Sequence, residues 1–247
     1  MKISCIVPVY NNETTLQHVL SVLVVVDEIN EIIVGDDASS DNSYEVAKGF
    51  GSQIKLFRNE KNLGKGGNVV KGVKMSKGDV LFFCDADLSR LNKKHVLNLI
   101  HTFRDGNYDM VIGARKEDSK TPIIGKFLET VSGERILKRK NIEEYLDLIS
   151  NVGNGIEQIT NFAHRKKKVK MIINEGTGHI IKAQRKNKVE ATREYVQEIG
   201  QIVKTDVKLK RKLMGAVRIV GVVAVLSGVF SLWFFNRRKA IAGEVKS

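Results

Sequence analysis

Short apolar runs alternate with helically spaced apolar residues along the first 115 residues of the chain. The runs are rich in β-branched and aromatic residues, which predicts strands. They span 3–10, 31–37, 53–59, 79–87 and 108–115. Between them apolar residues recur at helical spacing, as after the first run at Leu16, Val19, Leu20 and Leu23. This alternation, with a repeat of about 25 residues, is typical of an α/β fold with a doubly wound, mostly parallel sheet.

The C-terminal part of the chain has a different pattern. No residue from Ile219 to Phe235 is charged, and three aromatic residues followed by Asn-Arg-Arg-Lys close the run. As a helix the apolar stretch is about 25–35 Å long, close to the thickness of a hydrocarbon core. We therefore predict a transmembrane helix over 213–235, with a buried hairpin helix as the alternative.

These patterns divide the chain into four parts. We expect an α/β domain over 1–188, a basic juxtamembrane helix over 189–212, the transmembrane helix, and a basic tail over 236–247. The chain would then be a single-pass membrane protein, and we place its large N-terminal domain in the cytoplasm. The two cysteines, Cys5 and Cys84, lie in apolar runs, which favours a reducing compartment over a disulfide framework.

An excess of positive charge suggests an anionic partner. The chain has 41 Lys and Arg against 28 Asp and Glu, a formal net charge of +13. The excess is concentrated in the runs RKKKVK (165–170), KAQRKNK (182–188) and KLKRK (208–212). Beside a membrane segment these runs could hold the catalytic face against anionic lipid; a solvated charged face is the alternative. They lack interleaved aromatic residues, so nucleic acid is not an expected partner.

Two carboxylates follow the apolar run that ends at Cys84. In parallel α/β sheets ligands bind beyond the carboxyl ends of the strands, and alternate residues of an extended segment point the same way. Asp85 and Asp87 should therefore reach one site. Two hard oxygen ligands suit Mg²⁺ or Mn²⁺, which take further ligands from water and substrate phosphates. A turn with two solvated acids is the alternative.

The other strand ends carry polar clusters as well. IVPVYNNE, GDDASSDNS and NLGKGGNVVKG precede GDVLFFCDADLS along the chain. In this order and spacing the four segments resemble the family-2 glycosyltransferases of the GT-A fold, in particular the polyprenyl-phosphate mannose and glucose synthases. The resemblance covers residues 2–116 and, more loosely, 130–190. It implies metal-dependent, inverting transfer of a hexose from a UDP- or GDP-sugar.

The resemblance assigns donor-side roles to named residues. Asp37 would bind the nucleotide, in a base pocket lined by Pro8, Tyr10 and Glu13. Asp85 and Asp87 would hold the metal, and Asp36 should point away from Asp37. Phosphate contacts would come from Lys65, in a segment whose glycines let backbone approach a ligand, and from Arg115. The alternative for NLGKGG is the start of a helix capped by Asn62.

The resemblance also assigns acceptor-side roles. SGERILKR (132–139) is similar to the family's acceptor segment, which would place Arg135 and Arg139 near an anionic acceptor. Glu157 is the general base that the family comparison nominates, and it would be needed only for a hydroxyl acceptor. A phosphate acceptor, with a second pKa of about 6, is already ionised. The alternative for Glu157 is an acid in the first turn of a helix.

Three functions fit these observations. The first is a membrane-anchored glycosyltransferase with a lipid acceptor, polyprenyl phosphate above all. The second is the same chemistry on a saccharide or cell-envelope acceptor, which the short segment 116–131 favours. The third is an inactive nucleotide-sugar-binding subunit of a membrane complex, against which the intact Asp37, Asp85, Asp87 and Arg115 argue. A homo-oligomer is compatible with each of them.

Overall fold

The computed structural model of the protein describes residues 1–115, 132–153 and 155–174. In this part of the chain seven strands form one sheet, in the order β3-β2-β1-β4-β6-β5-β7. Strand β6 is antiparallel to its neighbours β4 and β5, and the other described pairs are parallel. The strands are β1 (Ile3–Val9), β2 (Glu31–Asp36), β3 (Lys55–Arg58), β4 (Val80–Phe83), β5 (Met110–Arg115), β6 (Arg135–Lys138) and β7 (Val169–Asn174).

Helices follow most of these strands. In the described ranges they are α1 (Glu13–Leu23), α2 (Ser43–Lys48), α3 (Gly64–Met75), α4 (Lys93–Asp105), α5 (Leu146–Ser150) and α6 (Ile156–Ala163). Helix α3 packs on β1 and β2 and is itself contacted by α5, whereas α4 packs on β5 and β6. The helically spaced residues of the first predicted helix are fully buried on one face of α1, as their spacing predicts.

Alternate side chains of the central strands pack on opposite faces of the sheet. In β1, Cys5, Val7 and Val9 belong to the core that also contains residues of α1, α2 and α4. Ile6 points the other way, where α3 comes so close that a Cβ on Gly72 would lie 2.8 Å from Ile6 Cγ2. The sheet therefore has helices on both faces, which confirms the predicted mostly parallel α/β architecture.

Two described strands were not predicted. Strand β6 lies in the segment interpreted as an acceptor loop, and β7 begins inside the basic run RKKKVK. Both cysteines are free and buried, in keeping with their place in apolar runs.

The predicted segments 189–212, 213–235 and 236–247 lie outside the described residues. Among the residues that are described, no helix has the length and apolar character needed to cross a membrane.

The described part of the first basic run lies away from the carboxyl edge of the sheet. Residues 165–168 precede β7, and the carbonyl of Lys168 accepts from Asp109 N (2.8 Å) just before β5 begins. They are therefore at the amino edge of these parallel strands, about 20 Å, one strand length, from the opposite edge. Residues 165–168 therefore lie at the edge opposite to Asp85, and their contact with a bilayer stays a prediction.

Candidate active site

Lys65 joins two carboxylates at the carboxyl edge of the sheet. Its Nζ lies 2.8 Å from Asp85 Oδ1, just after β4, and 2.8 Å from Glu157 Oε1, in the first turn of α6. The three side chains are 25%, 20% and 8% exposed, respectively. The ion pairs are therefore mostly shielded from water, although the lysine and Asp85 still reach solvent.

The two carboxylates determine the protonation of Lys65. Burial disfavours the charged form, but the attraction of Asp85 and Glu157 outweighs it and holds the pKa of Lys65 well above its ordinary value. Lys65 is thus a permanent cation at neutral pH. Such a group can bind an anionic ligand but cannot serve as a base.

Asp85 and Asp87 lie in a loop and not in a strand. Strand β4 ends at Phe83, and residues 86 and 87 form a turn. The Thr15 hydroxyl holds this turn by donating to the carbonyl of Ala86 (2.8 Å). The prediction that both acids lie on one face of an extended segment is therefore wrong. The structure still places both, partly exposed, beyond the carboxyl end of β4.

The donor set of this loop fits a divalent cation. Within the described ranges no three His, Cys, Asp or Glu side chains gather around a common centre that could hold a metal. Two carboxylates are nevertheless enough for Mg²⁺ or Mn²⁺ where water and substrate phosphates supply the remaining ligands. Asp85 Oδ1 already forms an ion pair with a cation, the Lys65 ammonium. We therefore keep Asp85 and Asp87 as the predicted metal ligands.

Gly133 packs directly against the carboxylate of Asp85. A Cβ at this position would collide with both carboxylate oxygens of Asp85. No role for Gly133 was predicted from the sequence, although it lies in the motif S-G-E-R. The glycine permits the loop before β6 to cover one side of the candidate metal ligand.

Asp37 is fixed at the carboxyl end of β2. It is 2% exposed, and its Oδ1 accepts hydrogen bonds from Asn59 Nδ2 and Leu63 N, both at 2.8 Å. Lys71 Nζ in turn donates to Asn59 Oδ1 (2.9 Å). The loop after β3 thus holds Asp37 in one orientation, and sequence reasoning missed the contribution of Asn59 and Lys71.

The neighbouring acid, Asp36, has an internal role. It is fully buried, its Oδ2 lies 3.1 Å from Arg58 Nε, and it accepts from Ser39 N at 3.3 Å. The two consecutive acids therefore differ in their partners, and Asp37 remains the candidate ligand of a nucleotide.

The residues predicted to line the base pocket lie around the end of β1. Asp37 N donates to Val9 O (2.8 Å), so Pro8 and Tyr10 flank the residue that contacts Asp37. Tyr10 is 50% exposed, which leaves it accessible for stacking. Glu13, at the start of α1, accepts from the Asn42 backbone N–H at 2.9 Å. Its carboxylate thus already ties α1 to the loop before α2.

The glycines of NLGKGG serve helix packing. A Cβ on Gly66 would collide with the carbonyl oxygens of Ile149 and Val152, so α3 can approach α5 only with glycine here. The prediction that these glycines let backbone approach a ligand is therefore wrong for Gly66. Asn62 Oδ1 accepts from the first residue of α3 (2.9 Å), much as the alternative interpretation expected. The side chain that faces the site is Lys65.

Arg135 lies inside the protein. It is 1% exposed, and its guanidinium donates to Ser132 O (3.1 Å), Thr160 Oγ1 and Asn161 Oδ1 (3.1 Å). A contact with a diffusible or lipid acceptor needs an accessible guanidinium, so the predicted acceptor role is wrong for this residue. Arg135 instead ties the start of β6 to α6, the helix that carries Glu157.

Arg139 also differs from the prediction. Its guanidinium donates to Gly78 O (2.5 Å), Val73 O (3.1 Å) and Ser76 Oγ, around the C-terminal end of α3. This is the amino edge of β4, opposite to Asp85, because β6 runs antiparallel to β4. Arg139 therefore donates to polar groups at the C-terminal end of α3, and its predicted acceptor contact is wrong. Arg115 is the last residue of β5, and its phosphate contact stays a prediction.

Fold and site together define a class of protein. A mostly parallel α/β sheet places a fixed carboxylate, a permanent cation and an Asp-x-Asp loop at the edge where such sheets bind ligands. These are groups suited to a phosphate-bearing ligand and a hard cation.

The family is shown by comparison with known proteins. The family model described as Glycosyl transferase family 2 matches residues 4–153. The chain therefore belongs to glycosyl transferase family 2, which confirms the resemblance found in the four motifs.

Curated relatives match about half of the chain. A dolichol-phosphate mannosyltransferase of Pyrococcus furiosus is 34% identical over 119 residues, which are 47% of this chain and 33% of the relative. An undecaprenyl-phosphate 4-deoxy-4-formamido-L-arabinose transferase of Yersinia pestis is 30% identical over 128 residues, 48% of this chain and 38% of the relative. The matched part of the chain thus spans between 33% and 38% of the length of these relatives.

Solved structures share the fold. Glucosyl-3-phosphoglycerate synthase from Mycobacterium tuberculosis, in complex with Mn²⁺, UDP and phosphoglyceric acid, has a TM-score of 0.67 at 19% identity. That similarity covers 87% of this chain and 80% of the synthase. The structure of the same synthase in complex with Mn²⁺ and UDP-glucose has a TM-score of 0.65 at 20% identity. That similarity covers 83% of this chain and 78% of the synthase. The seven-stranded sheet described above is thus consistent with the predicted GT-A fold.

Proposed function

We propose that the chain is a metal-dependent, inverting glycosyltransferase that moves a hexose from a UDP- or GDP-sugar to polyprenyl phosphate. One observation carries the donor half of this proposal. The segment 63–65 contacts both candidate donor ligands, because Leu63 N donates to Asp37 and Lys65 Nζ pairs with Asp85. The carboxylate proposed to bind the nucleotide, Asp37, and a carboxylate proposed to bind the metal, Asp85, are therefore held beside one short stretch of chain. A nucleoside diphosphate, which has both a base and metal-binding phosphates, requires such an arrangement.

The chain's own residues would divide the donor between them. Asp37, held by Asn59 and Leu63, would accept a hydrogen bond from the base or ribose. Pro8 and Tyr10 would contact the base. Glu13 would hold the edge of this pocket in place, because it accepts a hydrogen bond from the loop before α2.

The pyrophosphate would be met by positive charge. Asp85 and Asp87 would hold Mg²⁺ or Mn²⁺, which would neutralise the leaving diphosphate when bound. Lys65 adds a permanent positive charge at the same edge, and Arg115 is proposed as a further phosphate contact. Stabilising the leaving group is the main requirement, since glycosyl transfer passes through an oxocarbenium-like state.

A phosphate acceptor agrees with the position of Glu157. Its carboxylate is 8% exposed and paired with Lys65, which suits a positioning role better than proton abstraction. An acceptor phosphate is ionised near neutral pH and needs no base. Its oxygen would attack the anomeric carbon, the bond from that carbon to the diphosphate would break, and the nucleoside diphosphate would leave. Both curated relatives described above are named for polyprenyl-phosphate acceptors.

A lipid acceptor requires a membrane. We propose that the apolar segment 213–235 is a single-pass anchor and that the α/β domain lies on the cytoplasmic side. Two free, buried cysteines suit that reducing compartment.

The function is tested with membranes that contain the chain. They are incubated with Mn²⁺ and a panel of radiolabelled UDP- and GDP-sugars, and label is counted in the organic-solvent extract. We expect one donor to label lipid, the label to be released by mild acid, and EDTA to abolish the reaction until Mn²⁺ is restored. Membranes lacking the chain are the control. Donor consumption without labelled lipid would favour a saccharide acceptor, and no consumption would favour the inactive binding subunit.

Gly133→Ala tests the contact that covers Asp85. The added methyl must displace the Asp85 carboxylate, so we expect transfer to fall roughly 10- to 100-fold. The displaced atoms are the end of a flexible side chain, so the free energy of unfolding should fall by only about 1 kcal/mol. Gly49→Ala is the matched control, because its Cβ would come no closer than 3.3 Å to any atom outside its chain neighbours, the nearest being Val46 O. Unchanged transfer in Gly133→Ala would contradict the assigned role of Asp85.

A further inference from the structure

Lys65 pairs with one of the two candidate metal ligands, Asp85. Its ammonium is equidistant, at 2.8 Å, from Asp85 Oδ1 and Glu157 Oε1. We propose that Lys65 is an exchangeable counter-cation, which neutralises Asp85 when no metal is bound and withdraws to Glu157 when a divalent cation takes its place. This inference rests on the proposed metal site and adds to it a residue that controls metal affinity.

Electrostatics gives the reason for a counter-cation. Asp85 and Glu157 both contact the same nitrogen, so their oxygens are at most twice 2.8 Å apart in a largely shielded site. Two carboxylates this close repel each other, and the ammonium removes that repulsion. A divalent cation on Asp85 would in turn repel an ammonium in contact with the same oxygen. We therefore expect the ammonium and a divalent cation to compete for Asp85.

Glu157 provides the place to which Lys65 withdraws. The α6 helix that carries Glu157 is tied to the sheet by the buried Arg135, and the start of α3 is held against α5 at Gly66. The backbone that carries Lys65 and the backbone that carries Glu157 are thus both fixed. The exchange therefore needs only rotation within the flexible lysine side chain. Lys65 keeps one ion pair after the exchange, so metal binding does not leave a buried charge without a partner.

The experiment measures binding of Mn²⁺ alone to the full chain in detergent, from the electron paramagnetic resonance signal of free Mn²⁺. Lys65→Met should bind Mn²⁺ roughly tenfold more tightly than the wild type, because the competing ammonium is gone. Lys65→Arg keeps the cation and should restore an affinity close to that of the wild type. Lys74→Met is the matched control on the same helix: Lys74 is exposed, and its variant should bind like the wild type.

A double variant separates two effects of Lys65 on metal binding: its pairing with Asp85 and its contribution to the net charge of the site. Lys65→Met/Glu157→Gln removes one positive and one negative charge, so the net charge of the site equals that of the wild type. Mn²⁺ binding tighter than wild type in this variant supports the exchange, whereas equal binding shows that only net charge matters and overturns it. The double variant also has no repelling carboxylate pair, so it remains informative where Lys65→Met unfolds, which circular dichroism would reveal.

The two proposals fail in different ways. If the wild type binds Mn²⁺ and both Lys65→Met variants bind it no more tightly, the exchange is wrong and the metal site stands. If none of the proteins binds Mn²⁺, either alone or with UDP or GDP added to supply phosphate ligands, the proposed metal site is wrong, and the exchange falls with it. Sugar transfer in the membrane assay is independent of both measurements and tests the glycosyltransferase function itself.

Discussion

Asp85→Asn is expected to lower the rate of sugar transfer by roughly 10²- to 10³-fold. The amide keeps the shape of the side chain but loses the negative charge that would hold a divalent cation beside the leaving diphosphate. Lys65 would keep its second partner, Glu157, so the change in the free energy of unfolding should be only about 1 kcal/mol. Transfer rates in membranes, with Mn²⁺ varied, measure the effect, and raised Mn²⁺ should recover part of the rate.

Asp79→Asn is the matched control for this variant. Asp79 precedes the same strand, β4, and its carboxylate accepts from Lys2 N at the opposite edge of the sheet. It should leave transfer within about twofold of the wild type, because a charge one strand length away is strongly screened. Equal losses in both variants would mean that Asp85 acts through the fold and not at the reacting diphosphate.

The polar residues at strand ends could be predicted from the sequence. A buried apolar run followed by a carboxylate defines both the strand and the edge at which the carboxylate lies, because parallel strands end together. Asp37 and Asp85 lie at that edge for this reason, although their strands end a residue or more earlier than predicted. Helical spacing was equally informative for α1, whose four predicted apolar residues are all fully buried.

Contacts between distant segments could not be predicted in the same way. Lys65 and Glu157 are 92 residues apart in sequence, and no periodicity relates them. An arginine in S-G-E-R has the same sequence pattern whether it faces solvent or the core, so Arg135 was assigned to an acceptor. Only the packing of α6 on the segment before β6 decides its position.

Strand β7 illustrates a second limit. It is the last strand of the described sheet; its second residue, Lys170, is the final lysine of RKKKVK, and the other lysines of that run lie just before the strand. Lysines are common on edge strands, where they prevent pairing with other chains. Composition alone therefore suggested a binding surface where the described sheet has an edge strand. The antiparallel β6, by contrast, begins with a buried arginine, and no alternation marks it as a strand.

Arg135→Met should be the most destabilising of these substitutions, at about 3–5 kcal/mol in the free energy of unfolding. Burial lowers the pKa of Arg135, opposed by the carboxylates of Glu157 and Asp85, yet a guanidinium stays protonated. Methionine would fill much of the volume but leave the acceptors at Ser132, Thr160 and Asn161 without their buried donors. Urea unfolding of the full chain in detergent measures the loss.

The comparison with two further variants separates a structural arginine from one that binds an acceptor. Arg135→Lys keeps the charge but lacks the planar fork, so it should recover less than half of the lost stability. Arg165→Met removes an exposed arginine near the end of α6 and should change stability by about 0.5 kcal/mol or less. If Arg135→Met were as stable as the wild type but unable to transfer sugar, the acceptor contact expected from the sequence would be right. Because its guanidinium is buried, we expect the opposite: a large loss of stability, with transfer lost only as α6 and Glu157 lose their position.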